Sequence, residues 1–169
     1  SIIDVSKTEI LEEHIGIRSS SDLYVIGLKD RSCGNQYGRN HYDFDEGVLF
    51  FYAPNQVQII GSAYRKGEVK GWMIVFHPDL IRNTQLGKTI DQYNFFSYSV
   101  HEALHLSKSE QTTLADYIEL MKIEITERVD NHSQMVISSN LALLLNLSQR
   151  YYERQFNTRS AQNSDYVSQ

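Results

Sequence analysis

The chain has 169 residues, 41% of them hydrophobic and 22% charged, which is the ordinary composition of one soluble globular domain. Its net charge of -5 excludes tight nucleic-acid binding by these residues alone, because a domain that grips phosphates carries clustered Lys and Arg. The single cysteine, Cys33, excludes an internal disulfide and favours a reducing, cytoplasmic location. No stretch approaches the ~20 apolar residues of a membrane span, so we expect no membrane partner.

The N-terminal part of the chain, to about residue 105, has the pattern of short β-strands separated by Gly-, Asn- or Pro-containing turns. Short strands at a spacing of roughly 8–12 residues favour a sandwich or a small barrel over a parallel sheet. Apolar runs without alternation indicate sheets that are covered on both faces. The predicted strands are Leu23–Leu28, Asn40–Phe44, Val48–Tyr52, Val57–Ile60 and Trp72–Phe76.

After about residue 105 the hydrophobic period becomes that of a helix. Ser107 and Glu110 have the spacing of a capping box, in which the serine hydroxyl and the glutamate carboxylate each accept a bond from a free backbone amide. We therefore expect a helix to begin at Ser107. Apolar residues at three- and four-residue steps predict its buried stripe, which comprises Leu114, Ile118, Met121, Ile125 and Val129.

A second helix is predicted from Gln134 to about Phe156, antiparallel to the first because the connection is short. It has two apolar faces, and a helix that is apolar on two sides is buried on two sides. The second face either packs within one chain or meets its copy in a second subunit, where a single polar Asn would fix the register. The first face comprises Ile137, Leu141, Leu144, Ser148 and Tyr152, and the second comprises Val136, Asn140, Leu143, Leu147 and Arg150.

One motif suggests metal chemistry. His101 to His105 (HEALH) matches the zinc-protease pattern, which needs both histidines one turn apart on a helix. The capping box at Ser107 starts the helix after His105, so we expect no zinc site, although Glu119, Glu124 and Glu127 lie downstream as candidate third ligands. His41 and His77 at strand ends, with Asp43, are the other metal candidates, and we interpret them as surface or barrel-mouth residues. We predict no catalytic residue, no metal and no cofactor.

Three segments in fixed order carry a family resemblance. Residues 41–51 (HYDFDEGVLFF) lead into 53–56 (APNQ), residues 71–80 read GWMIVFHPDL, and residues 150–156 read RYYERQF. This order resembles the N-terminal cupin-like domain of AraC-type bacterial transcription regulators, particularly those of Bacteroides and relatives. The resemblance covers at least residues 22–156. The cupin metal pattern is missing, which removes the support for oxygenase or isomerase chemistry.

The resemblance implies a mainly β fold with added α structure, a cupin-like β-barrel followed by two antiparallel helices, in a regulator that is not an enzyme. It divides the chain into an N-terminal arm (1–21), the barrel (22–105), a two-helix dimerisation element (106–156) and a linker (157–169) to a helix-turn-helix domain absent here. The expected partner is a second copy of the chain, and DNA is contacted only through the absent domain. The alternative is a cupin-like metal-dependent enzyme or a stand-alone small-molecule-binding module.

A barrel of this size has room for one small effector, a sugar or another metabolite. Residues that could stack on such a ligand or hydrogen-bond to it near one mouth are Tyr24, Tyr37, Arg39, His41, Tyr52, Met73 and His77. The strand parity puts Met73 and Val75 toward the pocket and Trp72 on the other side. The other interpretation is that the tyrosines and the methionine belong to the core. The predicted dimer interface is the second face of the second helix, Val136, Asn140, Leu143, Leu147 and Arg150.

Overall fold

A computed structural model of the chain describes residues 1–30, 47–96, 104–127 and 129–167, with side chains as far as residue 157. Within these ranges the fold is mixed α/β: an antiparallel five-stranded sheet, a two-stranded sheet and three α-helices. The strands are β1 (Ile2–Asp4), β2 (Arg18–Ser19), β3 (Tyr24–Lys29), β4 (Val48–Tyr52), β5 (Gln58–Ile59), β6 (Gly71–Phe76) and β7 (Leu104–His105). The helices are α1 (Gln85–Thr89), α2 (Lys108–Glu127) and α3 (Ser133–Val167), and none in the described ranges is long and apolar enough to cross a membrane.

The larger sheet has the strand order β1-β6-β3-β4-β7, with β3 at its centre. Apolar and β-branched residues dominate β3, β4 and β6, which is the composition that fits a pleated, covered surface. In the register, Ile26 lies opposite Phe51 on β4 and opposite Ile74 on β6. Alternate residues therefore share one face, which we call the core face. Its members are Tyr24, Ile26, Leu28, Leu49, Phe51, Trp72, Ile74 and Phe76.

The core face packs against the two long helices. Leu114 and Ile118 of α2, and Leu141 and Leu144 of α3, are buried in the same cluster as the core face. Phe95 stacks on Phe51 with ring centroids 4.0 Å apart and closes one side of the cluster. Each side chain of this size contributes about 1.5–3 kcal/mol when it leaves water, so this cluster is the main source of the fold's stability.

Local signals fix where the helices begin. The capping box is confirmed, because Glu110 N–H donates to Ser107 Oγ at 3.2 Å and Ser107 N–H donates to Glu110 Oε2 at 3.2 Å. Ser133, the first residue of α3, donates its hydroxyl to Glu124 Oε1 at 2.8 Å near the end of α2. Arg154 far along α3 contacts Glu110 in the first turn of α2, so the two helices are antiparallel, as predicted.

The β-structure differs from the predicted closed barrel. In the described residues the larger sheet is open, and the small β2–β5 sheet is separate from it, so a cupin-like barrel is not confirmed. The predicted strand at Asn40–Phe44 lies outside the described residues. The segment expected to be an N-terminal arm joins the fold instead, because Ile2–Asp4 pairs with β6 and adds an edge strand.

The helices also differ at their ends. Helix α3 continues to Val167 instead of ending near Phe156, so most of the expected linker is helical. In the predicted stripe of the first helix, Leu114, Ile118 and Met121 are buried, whereas Ile125 is exposed and Val129 lies beyond the end of α2. The buried core cluster includes no residue of α2 beyond Met121, so these last two positions do not contribute to it.

Gly27 at the centre of β3 provides a test of this packing. A Cβ built there would lie 2.1 Å from Cζ of the Phe50 ring, which covers the glycine. We expect Gly27→Ala to lower the free energy of unfolding by about 1–3 kcal/mol in urea titrations, because the ring has to move. In a Phe50→Leu background, Gly27→Ala should lower the free energy of unfolding by less, because the smaller side chain leaves room for the added Cβ. Equal costs of Gly27→Ala in both backgrounds would contradict this packing.

Candidate effector face and dimer surface

The face of the sheet opposite the core face carries a buried cation. Lys29 is only 8% exposed, and its Nζ lies 5.4 Å from the ring centroid of Phe50 and 5.3 Å from that of Tyr64. A desolvated ammonium over aromatic faces gains about 2 kcal/mol, which offsets part of the cost of taking it out of water. We call this side of the sheet the effector face, with Lys29, Phe50, Tyr52, Tyr64 and Met73 as its members.

The N-terminal segment covers part of the effector face. Val5 follows β1 and is fully buried with Tyr64 and Val69, and Met73 packs against this small cluster. The Tyr64 hydroxyl lies 3.0 Å from Thr8 Oγ1, which fixes the ring beside Lys29. The first residues of the chain are thus part of the wall of this site.

Two of the predicted ligand residues lie on the same face of the sheet, on strands that are separated by β3. Tyr52 and Met73 both lie on the effector face, as the parity of β4 and β6 dictates, and Trp72 lies on the core face as predicted. Tyr24 lies on the core face instead, stacked on Phe76 with centroids 5.1 Å apart. Burial raises the pKa of Tyr24, with a smaller contribution from the charge of Asp91.

The remaining predicted ligand residues lie elsewhere. His77 follows β6 and is exposed; its Nδ1 accepts a bond from Asp79 N–H at 3.1 Å and its Nε2 lies 3.4 Å from an Asp22 carboxylate oxygen. This histidine caps the 3-10 helix Pro78–Leu80, so a local structural role accounts for it. Tyr37, Arg39 and His41 lie outside the described residues.

Sequence reasoning missed Lys29 and Tyr64. The sequence signal for Lys29 was a charged residue at the end of an apolar strand, and its parity with Gly27 puts it on the effector face. The sequence around Tyr64 gives no comparable signal. The ring is placed beside Lys29 by contacts with the N-terminal segment, namely an isolated β-bridge between Tyr64 and Ile10 and packing against the buried Val5.

The part of the zinc-protease motif that the structure describes, residues 104–105, is not helical. Leu104 and His105 form strand β7, paired with Leu49 and Val48 of β4. His101 lies outside the described residues. Over the described ranges, no group of three or more His, Cys, Asp or Glu side chains is placed to hold a metal ion.

The predicted dimer face of α3 is at the surface of this single chain. Val136, Leu143 and Arg150 are exposed, and Leu147 is half-buried against the core cluster. Asn140 is half-buried and donates its Nδ2 to the Val136 carbonyl at 3.0 Å. The first face of α3 has Leu141, Leu144 and Ser148 buried, so the two faces separate as the sequence predicts.

A polar clamp ties α3 to the edge of the sheet. His105 N–H of β7 donates to Gln155 Oε1 at 2.9 Å, and Arg154 Nη2 donates to the His105 carbonyl at 3.3 Å. Arg154 Nη1 also lies 2.7 Å from Oε1 of the half-buried Glu110, the capping residue of α2. Three elements, β7, α2 and α3, are therefore held at one point.

Comparison with known proteins adds no identification: no protein-family model matches the chain, and no curated protein is significantly similar to it.

The clamp can be measured with a double-mutant cycle. Arg154→Met and Glu110→Gln should couple by about 1 kcal/mol in the free energy of unfolding, because the carboxylate is half-buried and makes two contacts with the guanidinium. The exposed Lys122–Glu119 pair on α2 is the matched control, with an expected coupling of about 0.3 kcal/mol. Equal coupling in the two cycles, measured by urea unfolding, would show that the clamp is only a surface pair.

Proposed function

We propose that this chain is the effector-sensing and dimerising domain of a bacterial transcription regulator of the AraC type. In this proposal the described sheet is one wall of a cupin-like container, and DNA is contacted by helix-turn-helix motifs in another part of the full-length protein. The observation that supports it best is the outer face of α3, which exposes Val136 and Leu143 on a helix firmly anchored by its other side.

The two sides of α3 have different energetic requirements. The inner side has already left water, since Leu141, Leu144 and Leu145 are fully buried. The outer side leaves apolar surface in contact with water, and burying it in a second copy would gain about 25 cal/mol per Å². Asn140 between Val136 and Leu143 is a polar interruption of the kind that fixes register and partner number.

Dimerisation is what a regulator of this type needs from such a surface. A twofold pair of these domains would hold two DNA-reading units at a fixed spacing, which matches the repeated half-sites that dimeric regulators bind. The acidic chain itself has no need to touch DNA in this arrangement.

The effector face supplies the sensing half of the proposal. Tyr52 and Met73 are half-buried on this face, and a tyrosine ring with its hydroxyl is a group that stacks on and hydrogen-bonds to a sugar or a similar metabolite. A ligand there changes the regulator only if it binds one arrangement better than another. The strand that carries Phe50 and Tyr52 pairs with β7, and the backbone of β7 is hydrogen-bonded to Gln155 of α3, so continuous contacts connect this face with the helix that the proposal assigns to the dimer.

The dimer can be tested on α3 with a matched control. Leu143→Glu should convert a dimer into a monomer, because it places a charge in the proposed interface. Met135→Glu, at an exposed position on another side of the same helix, should leave the mass unchanged. Light scattering coupled to size exclusion measures both. A dimer that survives Leu143→Glu, with the helix content unchanged, would exclude this interface.

The sensing half can be tested with a panel of monosaccharides and thermal denaturation. A sugar that binds at 100 times its Kd should raise the stability of the wild type by about 2.7 kcal/mol. Tyr52→Ala should abolish the shift, whereas Tyr24→Phe, on the core face, should keep it. A shift that persists in Tyr52→Ala would place the sugar elsewhere, and no shift with any sugar would exclude this effector class.

A further inference from the structure

The short 3-10 helix Pro78–Leu80 connects the end of the sheet with the beginning of α3. His77, the first residue after β6, caps the start of this 3-10 helix. At its other end, Gln134 in the first turn of α3 donates its side-chain amide to the Leu80 carbonyl at 2.9 Å. A change at the His77 ring is therefore separated from α3 by only one turn of backbone.

The two ring nitrogens of His77 have different partners. Nδ1 accepts a hydrogen bond from Asp79 N–H at 3.1 Å, so it carries no proton in this arrangement. The proton of the neutral ring is therefore on Nε2, which lies 3.4 Å from a carboxylate oxygen of Asp22 and can donate to it. Asp22 precedes β3, so the ring contacts a third part of the chain. The neutral imidazole satisfies both contacts.

A second proton on the ring breaks the cap. Once Nδ1 carries a hydrogen it is a donor, and it can no longer accept the bond from Asp79 N–H. A carboxylate oxygen of Asp79 lies 3.5 Å from Nδ1 and can accept from it instead. The same carboxylate also pairs with Arg82, so the charged groups that face this ring are those of Asp22, Asp79 and Arg82. Protonation thus replaces a backbone cap by a side-chain ion pair.

We propose that His77 is a pH-sensitive switch, which caps the 3-10 helix when its ring is neutral and releases the first turn when its ring is protonated. Histidine is the side chain whose charge ordinarily changes between about pH 5 and about pH 8. The His77 side chain is 47% exposed, so protons reach the ring while the fold stays closed. Release of the cap changes the position of the Leu80 carbonyl, which Gln134 contacts, and so reaches the start of α3.

His14 is a second capping histidine and provides a control in the same chain. Its Nδ1 accepts from Leu11 N–H at 3.3 Å, and its Nε2 lies 3.9 Å from a carboxylate oxygen of the preceding residue, Glu13. These groups belong to one short segment, so protonation of His14 rearranges that segment alone. His77 differs because its contacts extend to Gln134 of α3 through the 3-10 helix.

The test follows the chain by NMR as the pH is lowered from about 8 to about 5. The side-chain amide signals of Gln134 should shift with the same midpoint as the His77 ring. The Asp79 amide, having lost its acceptor, should exchange with water about tenfold faster relative to a free amide at the same pH. The Leu11 amide should follow the His14 ring instead.

His77→Asn is the matched variant, because an asparagine oxygen can accept the bond from Asp79 N–H but does not titrate. In this variant the Gln134 signals should stay fixed over the whole pH range, and the Asp79 amide should keep its protection. His14 should titrate as it does in the wild type, which shows that the rest of the chain is unchanged.

Two results would overturn the proposal. Gln134 signals that stay fixed while the His77 ring titrates would show that the effect ends at the ring. Equal shifts in the wild type and in His77→Asn would show that another group causes them. The tests of the dimer and of the effector use other residues, so a failure of this switch is distinguishable from a failure of the proposed function.

Discussion

A helix that lies on a sheet can bury only one of its sides there, and this constraint shapes the rest of the molecule. Leu141, Leu144 and Leu145 of α3 are fully buried between α2 and the core face. Once that side is fixed, the positions of Val136 and Leu143 follow from the helical repeat, and they point to solvent. The apolar outer surface is therefore a consequence of the same packing that stabilises the single chain.

The sheet is likewise used on both sides. Its core face supports the helices, while its effector face holds Lys29 between two aromatic rings. Gly27 lets Phe50 lie flat over the centre of β3, which is how that ring reaches the lysine. At the sheet's edge, β7 connects the sheet with α3, because it pairs with β4 and His105 N–H of β7 donates to Gln155 of α3.

Short-range signals predicted much of this architecture. Val48–Tyr52 is strand β4 as predicted, and the capping pair Ser107 and Glu110 marks the start of α2. The two faces of α3 were readable because a helical period repeats over many residues. These predictions succeeded because each depends on contacts within one element and not on how elements meet.

The errors concern contacts between elements. The alternation of side chains along β3 shows which residues share a face, but not which face meets the helices. The expected place of Tyr24 in the pocket is therefore wrong, because its side chain lies on the core face. The burial of Lys29 depends on Tyr64, which is distant in the sequence. The extension of α3 past Phe156 through a polar segment carries no hydrophobic period, so the pattern indicated a linker there.

The most direct test of the account is the mass of the unmodified chain at sedimentation equilibrium, measured from nanomolar to high micromolar concentration. The account predicts a mass that rises with concentration from that of one chain to that of two, because in the proposed dimer a second copy covers the exposed apolar side of α3. A mass that stays at one chain throughout would contradict it.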